Sequence, residues 1–147
     1  MSAEMLFSIV NTVALVSWVL LAVLPGRRRV SSVVTQTIVP VLFAMLYTGI
    51  IVALFGVFMP GSAGGGFSTL AGVGALFSNR WLLLAGWVHY LAFDLLVGSW
   101  EVEDARQHGI PHLMLVPCLL LTFLFGPAGW LAYRLLRFAK RQRPQIN

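Results

Sequence analysis

Long apolar runs, separated by short polar or glycine-rich stretches, dominate the pattern along this chain. Four runs approach the ~20 residues that a helix needs to cross a bilayer: 5–24, 38–59, 81–100 and 113–133. Pro25 and Gly26 end the first run, and a proline- and glycine-rich stretch at 60–66 ends the second. The pattern predicts an all-α integral membrane four-helix bundle in one transmembrane domain, followed by a basic tail at 134–147.

Two interruptions modify this simple bundle. The segment from Phe67 to Ser78 is too short to span a membrane, and its glycines weaken a free-standing helix, so it is expected to be interfacial or re-entrant. Inside the fourth run, Pro117 and the Gly126-Pro127 pair predict a kink, because proline cannot continue the helical hydrogen-bond ladder.

Composition supports membrane insertion and excludes a nucleic-acid-binding role. The chain is 59% hydrophobic and only 10% charged, whereas soluble domains are about 45–50% apolar. Its net charge of +5 comes from basic clusters at 27–29 and 134–143, which flank apolar runs and are typical of membrane orientation and contact with anionic lipids. Cys118 lies in an apolar run and is expected to be a small buried hydrophobe.

The orientation is ambiguous at this stage. Four crossings would place the two basic clusters on opposite sides, against the tendency of basic loops to remain on one side. Either the orientation is weakly encoded, or the Gly126-Pro127 break makes the last segment re-entrant. Because the first run starts at Met5, with no leader of the transit-peptide type, a bacterial inner membrane is the expected location.

The stretch from Trp81 to His112 carries most of the chain's ionisable chemistry, including Asp94 inside the third run. A charged group at the bilayer centre costs ~2.5 kcal/mol or more, so such residues usually face the protein interior and have a functional role. At 100° per residue, one helical stripe carries Trp87, Asp94 and Glu101, and another carries His89, Phe93 and Trp100.

Acid–base chemistry fits these residues better than metal chemistry. His108 and His112 have the spacing of a helical metal motif, but Gly109 and Pro111 interrupt it, so no metal or other cofactor is expected. Burial disfavours the charged form of a carboxyl group, and a neutral carboxyl can deliver a proton near neutral pH. Asp94 is the candidate acid, and a second group, His89, His112 or Glu101, could take a proton elsewhere on the same substrate.

A structural role for Asp94 stays open, with the carboxyl bridging helices through Tyr47, Asn11 or a backbone carbonyl. Aromatic and amide side chains around the stretch are the candidates for contacting an apolar ligand. They are Trp87, Tyr90, Phe93, Trp100, Tyr47 and Asn11.

The phrases FDLLVGSWE, GIPH and PCLLLTFLFGPAG, between His89 and about Leu136, resemble the abscisic-acid-deficient-four-like proteins, which are related to plant neoxanthin synthase. The resemblance implies a four-helix membrane protein associated with converting violaxanthin to neoxanthin. In that redox-neutral isomerisation a ring epoxide opens to a tertiary alcohol and a vinylic proton is lost to form an allene. Such a reaction needs an acid and a base, and neither a metal nor a nicotinamide. For a reaction of this kind, Asp94 or Glu101 is the candidate acid and His89 or His112 the candidate base.

Three classes of function therefore compete. The first is a cofactor-free isomerase of a carotenoid or another isoprenoid lipid. The second is a non-catalytic small transmembrane subunit that binds pigment or a larger membrane complex. The third, a transporter or proton relay, is disfavoured by the short chain and the absence of an inverted repeat. A homodimer that completes a pocket is compatible with either of the first two.

Overall fold

A computed structural model describes residues 2–23, 33–56 and 65–141, apart from the side chains of residues 55, 56 and 141. Every regular element in these ranges is helical. The predicted loop at 25–29, the break at 60–64, the end of the second run at 57–59 and the tail at 142–147 lie outside them. The helices are α1 (Ala3–Val23), α2 (Val39–Gly56, continuing a π-helical turn, Val33–Ile38), α3 (Leu70–Phe77), α4 (Arg80–Gln107), α5 (His112–Phe125) and α6 (Pro127–Arg141).

Three helical segments of the described chain are long and apolar enough to cross a membrane: Ala3–Val23, Val33–Leu54 and Arg80–Gln107. They correspond to the first three predicted runs, which confirms the all-α membrane class. α3 has eight residues, or about 12 Å of helix at 1.5 Å per residue, which is too short to cross. Its N-terminus is capped by Thr69, whose hydroxyl accepts the Gly72 N–H at 3.0 Å.

α4 is the central helix, and α1 runs parallel to it. Arg80 at the start of α4 pairs with Glu4 at the start of α1, with 2.7 Å between Nη1 and Oε1. Further along, Trp18 packs so closely on Gly98 that a Cβ there would lie 2.4 Å from the indole ring. α2 runs antiparallel to both, since the Gln36 amide near its start donates to the carbonyl oxygen of Ser99, near the end of α4.

The fourth predicted run, 113–133, is not one helix but two helices that fold back on each other. α5 begins beside the end of α1, where a ring nitrogen of His112 lies 2.7 Å from the Ala22 carbonyl oxygen. It ends at Gly126, beside Asp94, midway along α4. α6 then returns, and its Arg137 lies beside His108 at the end of α4. We call this α5–α6 unit the hairpin, and the two ends of the protein the Arg80 end and the His112 end.

Local chemistry explains why the hairpin turns where it does. Gly126 has a φ of +48°, a conformation that side-chain-bearing residues rarely adopt, and Pro127 opens α6, where its missing N–H does least harm. Gly129 then lets the two helices meet, because a Cβ at this position would lie 2.0 Å from the backbone nitrogen of Thr122. The kink predicted at Gly126-Pro127 is in fact a reversal of direction.

Two polar segments outside the predicted spans are largely helical. The strongly polar stretch from Glu101 to Gly109, which the sequence predicts to be a loop, belongs to α4 as far as Gln107, and the chain turns at Gly109, whose φ is +63°. The charged side chains of this last part pair locally, as in the ion pair between Glu103 and Arg106. The first residues of the predicted basic tail, 134–141, form the end of α6.

The hairpin places the basic residues of α6 at the His112 end. The end of α1 and the start of α2 also lie at this end. The end of α6, with Arg134, Arg137 and Lys140, lies there too. With three crossings and a hairpin that does not cross, the positive-inside rule predicts that the His112 end faces the cytoplasm.

This topology predicts that Ser2 and Lys140 lie on opposite sides of the membrane. In a Cys118→Ala background, Ser2→Cys should react with a membrane-impermeant maleimide in intact cells, whereas Lys140→Cys should react only after permeabilisation. Labelling of both positions from the same side would mean that the hairpin crosses the membrane and would refute the topology.

The contact between α5 and α6 predicts different effects for two glycine substitutions. Gly129→Ala forces the helices apart, and overpacking of this kind costs about 1–3 kcal/mol in the free energy of unfolding. The control Gly49→Ala adds a methyl group where nothing lies within 4 Å, so helix propensity should stabilise that variant by about 0.5–1 kcal/mol. Denaturation in detergent measures both, and equal stabilities would contradict the close packing.

Candidate functional site

The Asp94 carboxyl lies beside the hairpin turn and is only partly satisfied. Its Oδ2 atom is buried and has no hydrogen-bond partner among the described residues. Its Oδ1 atom would lie 3.0 Å from a Cβ at Gly126, so only glycine lets the turn approach the carboxyl this closely. An unpartnered buried oxygen is energetically costly, and a catalytic role is one of the explanations for such a group in a native structure.

A cleft of about 270 Å³ opens next to this carboxyl. The walls beyond Asp94 are apolar, and the start of α6 forms one side. A helix N-terminus carries a partial positive charge, which stabilises negative charge that develops on the carboxyl. The lining residues are Asp94, Val97, Gly126, Pro127 and Trp130.

Tyr90 lies one helical turn before Asp94 and contacts the hairpin. Its hydroxyl donates to the Phe123 carbonyl oxygen at 3.3 Å. Its ring packs against Trp87 with 5.3 Å between ring centroids. Tyr90 therefore caps a carbonyl near the end of α5 and links this face of α4 to the hairpin.

Glu101, the other candidate acid, lies inside the α4–α5 interface. Its side chain is fully buried, and the Thr122 hydroxyl lies 3.0 and 3.2 Å from its two carboxyl oxygens. It follows Asp94 by seven residues on the same face, about 10.5 Å along the helix axis, and it does not line the cleft. Its position indicates that it braces the hairpin.

The two candidate bases do not lie beside Asp94. His89 faces α2, where its ring packs on Phe93 at 4.5 Å and on Tyr47 at 5.7 Å. Five residues separate it from Asp94, which places the two side chains about 140° apart around the helix. His112 lies at the start of α5, where a ring nitrogen is 2.7 Å from the carbonyl oxygen of Ala22 near the end of α1. Asp94 is therefore the one titratable side chain that lines this cleft.

The predicted ligand-contacting residues divide between different faces of α4. Trp87 and Tyr90 lie on the α1 side, where the Trp87 indole N–H donates to the Asn11 side-chain oxygen at 3.0 Å. Tyr47 and Phe93 lie with His89 on the α2 side. Trp100 packs edge-on against Tyr133 of α6, with 5.7 Å between ring centroids. The partners expected for a structural Asp94, Tyr47 and Asn11, are thus engaged elsewhere.

Sequence reasoning missed the residues that the hairpin contributes. Thr122 and Trp130 read as ordinary members of an apolar run, and their roles appear only once α6 folds back. The same fold-back creates a polar cluster at the His112 end. There the Tyr133 hydroxyl donates to the Asp104 carboxyl, Arg137 Nε lies 2.8 Å from the same carboxyl, and an Arg137 guanidinium nitrogen lies 2.7 Å from a His108 ring nitrogen.

The bracing role of Glu101 predicts that Thr122 matters through its hydroxyl. Thr122→Val keeps the shape but leaves a buried carboxyl without its donor, which should lower the free energy of unfolding by about 1–3 kcal/mol. Thr122→Ser retains the hydroxyl and should lose less. Unfolding in detergent compares the two, and a valine variant as stable as the serine variant would refute this role.

Comparison with known proteins supports the sequence resemblance. The model of the ABA DEFICIENT 4-like family matches residues 5–133, which run from α1 to the first half of α6. No curated protein and no solved structure matches the chain. The match extends over all the elements that build the Asp94 cleft. The chain belongs to the ABA DEFICIENT 4-like family.

Proposed function

We propose that this protein is an intramembrane isomerase that rearranges one end of a carotenoid or related isoprenoid in a redox-neutral, acid–base reaction of the neoxanthin-synthase type. The observation that carries the proposal is the Asp94 carboxyl, half-buried at mid-depth with one unpartnered oxygen, beside an apolar cleft. The family membership supports the substrate class. The bacterial inner membrane remains the expected location.

The reaction balances with one carboxyl group. Neutral Asp94 gives its proton to the epoxide oxygen, the C–O bond breaks, and the oxygen becomes a tertiary alcohol. The resulting carboxylate takes the vinylic proton from the substrate's polyene chain next to the opened ring. The electrons of that C–H bond form the second double bond of the allene. The proton lost equals the proton gained, so Asp94 returns to its starting state without an oxidant or reductant.

The surroundings of Asp94 suit both halves of this cycle. The apolar walls formed by Val97, Pro127 and Trp130 exclude water, which would otherwise trap the opened epoxide as a diol. The start of α6 stabilises the carboxylate that exists between the two proton transfers. A single acid–base group thus replaces the Asp94 and histidine pair expected from the sequence.

The test is pigment analysis in a host that makes epoxy-carotenoids and expresses the wild type or Asp94→Asn. The wild type should produce a new pigment of unchanged mass. The asparagine variant should lose activity by about 100-fold or more, as expected when a general acid is removed. Glu103→Gln is the matched control, because Glu103 pairs with Arg106 on the same helix, away from the cleft, and should retain activity.

Two results would contradict the proposal. An Asp94→Asn variant as active as the wild type would remove Asp94 from the chemistry. Wild-type protein that accumulates in the membrane and leaves every epoxy-carotenoid unchanged would reject the isomerase. If that protein also purified with bound pigment, the alternative of a non-catalytic pigment-binding subunit would replace it.

A further inference from the structure

A stripe of residues on one face of α4 leads from the Arg80 end to the Asp94 cleft. Residues spaced alternately four and three apart stay within about 80° around a helix, and five such positions run from the Arg80 end to the cleft: Leu83, Trp87, Tyr90, Asp94 and Val97. Leu83 is 54% exposed and Trp87 is 38% exposed, so this stripe is open at its outer half. An apolar molecule can therefore lie along it.

A second, larger groove occupies that outer half, between α1 and α4. It has a volume of about 350 Å³ and is mostly apolar. The Glu4–Arg80 ion pair stands at its outer end, with both side chains largely exposed. The lining residues are Ala3, Glu4, Phe7, Arg80, Leu83, Leu84 and Trp87.

Aromatic rings connect this groove to Asp94. Trp87 lines the groove and packs on Phe7 at 5.8 Å and on Tyr90 at 5.3 Å. Its orientation is fixed by its indole hydrogen bond to Asn11, and Tyr90 precedes Asp94 by one helical turn on the same face of α4. From Arg80 to Asp94 the helix rises about 21 Å. The path along α4 is therefore long enough to hold an extended isoprenoid chain.

We infer that the α1–α4 groove and the Asp94 cleft form one elongated site, which holds an extended polyisoprenoid or polyene along α4. One end group lies at Asp94, and the chain packs on Trp87 and Tyr90 as it runs toward the Arg80 end. The Glu4–Arg80 pair can hydrogen-bond a hydroxyl group on the chain. The identity of the reacting end rests on the proposed function, but the chain-binding groove does not.

The opposite face of α4 provides a matched comparison. A groove of about 470 Å³ lies between α2 and α4 and is lined by Met45, Gly49, Ala53 and Trp81, among others. It is larger, but no ionisable side chain lines it, and Asp94 is not part of it. Met45 is 58% exposed, close to the value for Leu83. Filling either groove with a tryptophan is therefore a comparable change.

The experiment measures binding by purified wild type, Leu83→Trp and Met45→Trp in mild detergent. The probes are a C40 carotenoid with epoxide-bearing rings and a short monocyclic epoxide that corresponds to its end group alone. Leu83→Trp should weaken carotenoid binding by about tenfold or more by blocking the path, and should bind the short epoxide like the wild type. Met45→Trp should bind both probes like the wild type. If Leu83→Trp does not fold, Ala3→Phe replaces it as the test variant, because it fills the same groove from α1.

The outcomes separate the groove from the chemistry. Equal carotenoid affinity for wild type and both α1–α4 groove variants would overturn the elongated site, and so would wild type that binds no carotenoid. Selective loss of carotenoid binding in Leu83→Trp or Ala3→Phe supports it, even where pigment analysis shows no conversion. In that case the elongated binding site is supported and the isomerase proposal is rejected.

Discussion

The fold depends on satisfying the backbone polar groups at the point where the chain reverses direction inside the membrane. Backbone groups at a break in the hydrocarbon region must be satisfied by protein, because no water is available there. The turn at Gly126 meets this requirement by lying against α4, where Tyr90 caps the Phe123 carbonyl and Thr122 binds the buried Glu101. The same contact brings the turn against a carboxyl at mid-depth, so the requirement that fixes the hairpin also builds the candidate site.

Much of the fold could be predicted from the sequence, because the length and apolarity of a run determine whether a helix can cross a bilayer. The three helices that are long enough to cross, α1, α2 and α4, follow from that rule. The direction of the chain after Gly126 does not, since a glycine-proline pair marks a break without saying where the chain goes next. That direction is set by distant partners, such as Tyr133 with Asp104 and Arg137 with His108. The polar end of α4 was predicted to be a loop because its partners on α6 are also distant in the sequence.

Only some features of the candidate site follow from the sequence. Asp94 stood out because an ionisable residue within a span is costly, and that argument needs no structure. Its partners could not be found this way, since the expected bases, His89 and His112, are close in sequence but face α2 and α1. What lines the cleft instead is the start of α6, contributed by small or apolar residues with no chemical signature of their own.

The central claim is that the reacting end of an isoprenoid lies between Asp94 and the start of α6. The most direct measurement is photo-crosslinking with a carotenoid that carries a diazirine on its epoxide-bearing ring, followed by mass spectrometry of the labelled peptides. The account predicts labels at 94–97 and 126–130, the two walls of the cleft. Labels concentrated on α2 or around His89, with none at these positions, would contradict it.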